Sequence, residues 1–137
     1  MKTYKVYQVQ GDKKDGKIEL SLYRIADYTF DSETAPKGIE STIWNLCNVA
    51  EWDDDYEHNA YDFPTIKQDG ITLTVISDRF YGYASSDLII ETDNGYQVAE
   101  PFGWGKEATL KDAVEHVLDK HVIYSQHKEY IKVRGVH

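Results

Sequence analysis

Apolar and polar residues alternate with period two at the start of the chain. Residues 3 to 10 read as a strand. In residues 18 to 26, Ile18, Leu20 and Leu22 alternate with Glu19, Ser21 and Tyr23, the signature of a half-buried strand. Gly11 and Gly16 bracket a charged connection between the two runs, which predicts an N-terminal hairpin. After Pro36 and Gly38 the period changes. Ile39, Ile43, Leu46, Cys47 and Ala50 recur at helical spacing with Trp44 and Val49 at the margins, predicting a helix over 39–50 capped by Ser41 or Thr42. From Glu51 to Pro64 the chain is acidic and aromatic with no clear period, and it reads as an irregular loop.

Strand periodicity returns after Asp69 and Gly70, where Ile71, Leu73 and Val75 alternate with threonines, and residues 80 to 83 read as an extension of that pairing. Residues 88–92 and 96–100 flank Asp93, Asn94 and Gly95, and an Asn-Gly pair supplies the positive φ angles of a tight hairpin. Pro101 to Gly105 breaks the sheet. Thr109 then stands where an N-cap belongs, ahead of a stripe of Leu110, Ala113, Val114, Val117, Leu118 and Val122. A last short strand is predicted at 129–133. The order β-β-α-β-β-β-α-β, rich in hairpins, implies an α+β fold: a mainly antiparallel sheet of five to six strands with two helices packed on it, in a single domain over 1–137.

Composition supports a packed core. A chain of 137 residues buries roughly two thirds of its unfolded surface, and a 41% hydrophobic fraction is ordinary for a globular protein. The lone Cys47 forms no internal disulfide, and the longest aliphatic run, Leu88 to Ile90, is far too short to cross a bilayer. The expected compartment is therefore the cytoplasm.

Motifs of catalysis and ligand binding fail in detail. Gly103 to Lys106 lies between a strand and a helix, but a phosphate-binding loop needs glycine where Glu100 stands and Ser or Thr where Glu107 stands. The acidic run from Asp53 lacks the glycine of a calcium loop at His58 and its closing glutamate at Pro64. His116 and His121 are five apart and do not share a helix face. Cys47 sits on an apolar stripe, where a thiol is inert. The expectation is a non-enzymatic protein with no catalytic residues, no cofactor and no metal.

Charge is the uneven feature. Between Ile25 and Ile66 there are ten acids and a single base, Lys37, so this segment holds the whole formal excess of nine negative charges. Such a surface argues against direct nucleic-acid binding and for a basic protein partner. Within the segment, aromatics interleave with carboxylates as they do in protein interfaces. The expected partner-binding residues are Glu51, Trp52, Asp53, Asp54, Asp55, Tyr56, Glu57, Tyr61 and Asp62. The function this implies is a small acidic inhibitor that occupies the basic groove of a nucleic-acid-binding protein such as a nuclease, the strategy of anti-restriction, anti-CRISPR and nuclease-immunity proteins. The competing readings are a ligand-binding or enzymatic domain with a sheet-helix pocket lined by Tyr81, Tyr83 and Trp104, an assembly protein, and a solvated acidic loop.

Overall fold

The computed structural model describes residues 2–53, 64–83, 88–100, 103–120 and 132–134. The chain forms an α+β fold in which strand and helix order follows the hydrophobic pattern. Its first two strands, β1 (Tyr4–Lys14) and β2 (Lys17–Phe30), are longer than the alternation indicates. The charged residues assigned to the connection continue the ladder, and the turn itself is Asp15-Gly16, with φ of 52° and 77°. Two consecutive positive φ angles match the right-handed twist of the strands they join. Asp69-Gly70 repeats the device with φ of 52° and 78°, joining β3 (Thr65–Gln68) to β4 (Ile71–Val75). β3 was not expected. Its four residues sit at the sheet edge, where burial alternates weakly.

The sheet continues through β5 (Leu88–Thr92), β6 (Gly95–Glu100) and the two-residue β7 (Gly103–Trp104), in the order β3-β4-β2-β1-β5-β6-β7. These neighbours are antiparallel; β8 (Lys132–Arg134) pairs in parallel with β2 at Ser21–Tyr23. In the β5–β6 hairpin, positive φ belongs to Gly95 alone, at 142°, and not to Asn94. A Cβ at Gly95 would lie 2.7 Å from the carbonyl oxygen of Ala108, because Tyr96 and Ala108 exchange backbone hydrogen bonds of 2.8 Å. The glycine is therefore required by close approach as well as by its dihedral angle.

A slip of register decides how the two faces are used. Val6 opposes Ala26 but Tyr7 opposes Arg24, which leaves Ile25 as the extra residue of a bulge. Even-numbered residues of β2 thus change sides. Ala26, Tyr28 and Phe30 join Tyr4 and Val6 beneath the first helix, whereas Leu20 and Leu22 join Tyr7 and Val9 beneath the last. Both faces of the central strands are covered, so Leu88, Ile89 and Ile90 are all fully buried.

The first helix is α1 (Ile39–Cys47), and it begins three to four residues earlier than a Ser41 or Thr42 cap would place it. Gly38, with φ of 77°, is its N-cap, and its carbonyl accepts the amides of Ser41 and Thr42. The last helix, α3 (Leu110–Lys120), starts as its sequence indicates: Thr109 Oγ1 accepts the Asp112 amide at 3.1 Å. Ala113, Val117 and Leu118 are buried, and Lys111, Asp112, Glu115, His116 and Asp119 are exposed. Val122 and His121 lie outside the described residues. No helix among the described residues is long and apolar enough to cross a membrane.

Candidate functional site

Asn48 interrupts the helix expected over 39–50. Its amide donates to the Asn45 carbonyl at 3.1 Å, and its buried side chain donates Nδ2 to the Trp44 carbonyl at 2.8 Å. A side chain that takes up a helix-end carbonyl in this way competes with continuation of the helix. The chain resumes as the single turn α2 (Val49–Trp52). Val49 points into the core, which turns Glu51 and Trp52 toward solvent. The indole Nε1 of Trp52 donates to the Asn45 carbonyl at 2.8 Å, so the ring stands 45% exposed in a fixed orientation.

The segment 77–83 is not an extension of β4. Gly82 has a φ of 74°, outside the strand region, and residues 76–83 form no strand. The segment is held from several sides. Phe80 is buried in the core, its amide donates to the Ser77 carbonyl, and the Gln10 side chain donates to the Arg79 carbonyl at 2.9 Å. The Arg79 guanidinium lies 4.4 Å from the Tyr23 ring centroid and donates Nη1 to Asp12 Oδ1 at 2.5 Å. Tyr23 Oη donates to the other oxygen of the same carboxylate at 2.8 Å. This bond to Asp12 holds the Arg79 pKa above its ordinary value, while burial raises that of Tyr23.

The two segments meet where the Ala50 amide donates to the Gly82 carbonyl at 3.1 Å. Tyr81 and Tyr83, flanking Gly82, are 46% and 61% exposed. With Trp52 they are the large hydrophobic side chains that stand in solvent among the described residues. Isolated exposed aromatics are ordinary, but here three are carried by two segments that the Ala50–Gly82 hydrogen bond joins. Glu51 and Asp78 are exposed on the same two segments, and Asp53 is half-buried.

Of the residues expected to bind a partner, Glu51, Trp52 and Asp53 fall on α2 and its C-cap, and Asp54, Asp55, Tyr56, Glu57, Tyr61 and Asp62 lie outside the described residues. Tyr81 and Tyr83 were expected in a pocket with Trp104. Trp104 packs half-buried against the core beside β6, and the two tyrosines are exposed. A glycine between two tyrosines was the available signal, since glycine at that point ends strand alternation.

Other chemistry finds less support. Cys47 is 1% exposed, and burial pushes its thiol up to about 12, far from reactivity at neutral pH. A crevice of about 130 Å³, lined by Tyr4, Tyr28, Phe30, Glu40, Asp93 and Glu107, is smaller than the usual range for small-molecule sites. A larger recess of about 460 Å³ is lined mostly by exposed residues of the turns at 31–37 and 69–70, and is a surface depression. Among the described residues no three His, Cys, Asp or Glu side chains gather to hold a metal ion. No protein-family model matches the chain, and neither a curated protein nor a solved structure matches it significantly.

Proposed function

We propose that this protein is a small acidic inhibitor that binds a nucleic-acid-handling protein and occupies its basic groove, in the manner of anti-restriction, anti-CRISPR or nuclease-immunity proteins. The observation that supports this reading is that exposed Trp52, at the point where the acidic segment leaves α2, and exposed Tyr81 and Tyr83 are carried by two segments joined by the Ala50–Gly82 hydrogen bond. Aromatic anchors surrounded by carboxylates suit both halves of such an interaction: the rings supply desolvated contact area, and the charges steer a basic surface toward them. The same carboxylates disfavour direct contact with phosphates.

The test is capture of the partner followed by competition. A nucleic acid that the partner binds should displace this protein from it. Reversing Asp53, Asp54 and Asp55 to lysine should slow association and flatten its salt dependence, since steering charges act on the on-rate and are screened over a Debye length of about 10 Å at 0.1 M salt. Binding that is indifferent both to competing nucleic acid and to these substitutions, in a folded protein, would remove this function.

A further inference from the structure

We propose that Asn94 is a site of spontaneous covalent modification, in which the Gly95 amide nitrogen attacks the Asn94 side chain and the resulting imide hydrolyses to aspartate and isoaspartate. The proposal goes beyond the acidic-interface reading and concerns the tip of the β5–β6 hairpin.

Three features single out this residue. First, Asn94 is exposed in the turn, and among the described residues its side chain has no hydrogen-bond partner; only its backbone amide is held, at 3.2 Å from Thr92 Oγ1. The side-chain amide can therefore swing toward the next peptide nitrogen. Second, the following residue is glycine, which has no side chain to block the approach. The other asparagines lack this neighbour: Asn45 precedes Leu46, Asn48 precedes Val49 and Asn59 precedes Ala60. The side chains of Asn45 and Asn48 are also held, by Gln68 and by the Trp44 carbonyl. Third, Gly95 pairs with Thr92 at the very end of the ladder. End pairs open at little cost in free energy, and each opening exposes the Gly95 nitrogen.

The reaction needs only water. Gly95 N bonds to Asn94 Cγ, the bond from Cγ to Nδ2 breaks, and Nδ2 leaves as ammonia with the proton that the glycine nitrogen gives up. Water then adds to one of the two imide carbonyls. Cleavage at Cγ leaves aspartate, and cleavage at the main-chain carbonyl leaves isoaspartate, whose backbone runs through Cβ. Nothing is oxidised or reduced.

The fold makes the change consequential. Isoaspartate lengthens the main chain by a methylene beside Gly95, where even a Cβ would lie 2.7 Å from the Ala108 carbonyl oxygen. That clearance leaves the Tyr96–Ala108 bridge, with its bonds of 2.8 Å, no room for the insertion. Either product also adds a carboxylate to the crevice lined by Glu40, Asp93 and Glu107, where like charges repel.

The experiment incubates the full chain in mildly alkaline buffer, where the glycine nitrogen loses its proton more readily, with one sample folded and one unfolded in guanidinium. Isoelectric focusing should reveal a species one charge more acidic than the formal −9. Peptide mapping with enzymatic methylation of isoaspartate should place the change at Asn94, ahead of Asn45, Asn48 and Asn59. Asn94→Ser, shown to be folded by circular dichroism, should lose that species. In the converted folded chain, hydrogen exchange should show lost protection at the Tyr96 and Ala108 amides. A folded chain that is still unconverted when the unfolded chain has reacted completely, or other asparagines that convert as fast as Asn94, would overturn the proposal. Protection at Tyr96 and Ala108 that survives conversion would overturn its structural consequence.

Discussion

The indole Nε1 of Trp52 donates to the backbone carbonyl of Asn45 at 2.8 Å, so this exposed ring of α2 is tethered to the last turn of α1. A tethered ring presents a defined face, which an interface anchor needs. Trp52→Phe keeps a ring and removes the donor. Stability should fall by about 0.5 to 1.5 kcal/mol, the usual contribution of one hydrogen bond. Trp52→Ala should in addition weaken partner binding by about 2 kcal/mol or more, chiefly through faster dissociation. Urea unfolding of Trp52→Phe that matches the wild type would show that the tether does not form in solution.

The stripe of α3 separates two classes of substitution. Leu118 is buried with Val117 and Ala113 beneath the helix, and Lys111 is exposed. Leu118→Ala should destabilise by about 2 to 5 kcal/mol, and Lys111→Ala by no more than about 0.5 kcal/mol. Thermal unfolding measures both, and equal shifts would place the wrong face against the sheet.

Gly95→Ala should destabilise the β5–β6 hairpin although it adds only a methyl group. The new Cβ would meet the Ala108 carbonyl oxygen at 2.7 Å and hold a φ of 142° that L-residues rarely adopt. A cost of about 1 to 3 kcal/mol follows from the strained backbone. Hydrogen exchange at the Tyr96 and Ala108 amides should report the loss locally. Unchanged protection there would show that the neighbouring chain moves aside freely.

Stability should decline on the alkaline side. Burial pushes the Cys47 thiol from 9.0 up to about 12 and, with its neighbours, the Tyr7 hydroxyl from 10.0 to about 12. Folding favours the neutral forms, so both groups leave stability intact below the unfolded pKa. As pH rises through 9 and 10 the unfolded chain ionises first, and stability falls until the folded pKa near 12 is passed. Denaturant midpoints measured from pH 7 upward should drop in this window. Cys47→Ala should remove the part that begins near pH 9, and an alkaline profile identical to the wild type would remove Cys47 from the cause.

Much of the secondary structure was legible in the pattern of side chains. Helix α3 was readable with its cap at Thr109, because a 3.6-residue stripe and a capping hydroxyl are properties of near neighbours. The α+β class and the element order followed from hairpins whose alternation is equally local. Strand β3 was missed because an edge strand buries little, and an alternation of half-buried and exposed residues leaves a weak periodic signal. The break at Asn48 was missed because an asparagine side chain that bonds a helix-end carbonyl differs in no periodic respect from one in mid-helix.

Tertiary structure alone decided which residues share a surface. The acidic bias around Trp52 was visible in the chain, but its junction with Tyr81 and Tyr83 was not. That junction includes a backbone hydrogen bond, from Ala50 to Gly82, and backbone groups carry no side-chain code for their partners. The bulge at Ile25 is a case of the same kind. An alternating strand specifies two faces but not which helix each will meet, and one extra residue sends Leu20 and Leu22 to the side opposite Tyr28 and Phe30. Periodicity records how a segment divides its own residues between inside and outside; the pairing of distant segments is settled by register and packing, where a shift of one residue exchanges the faces.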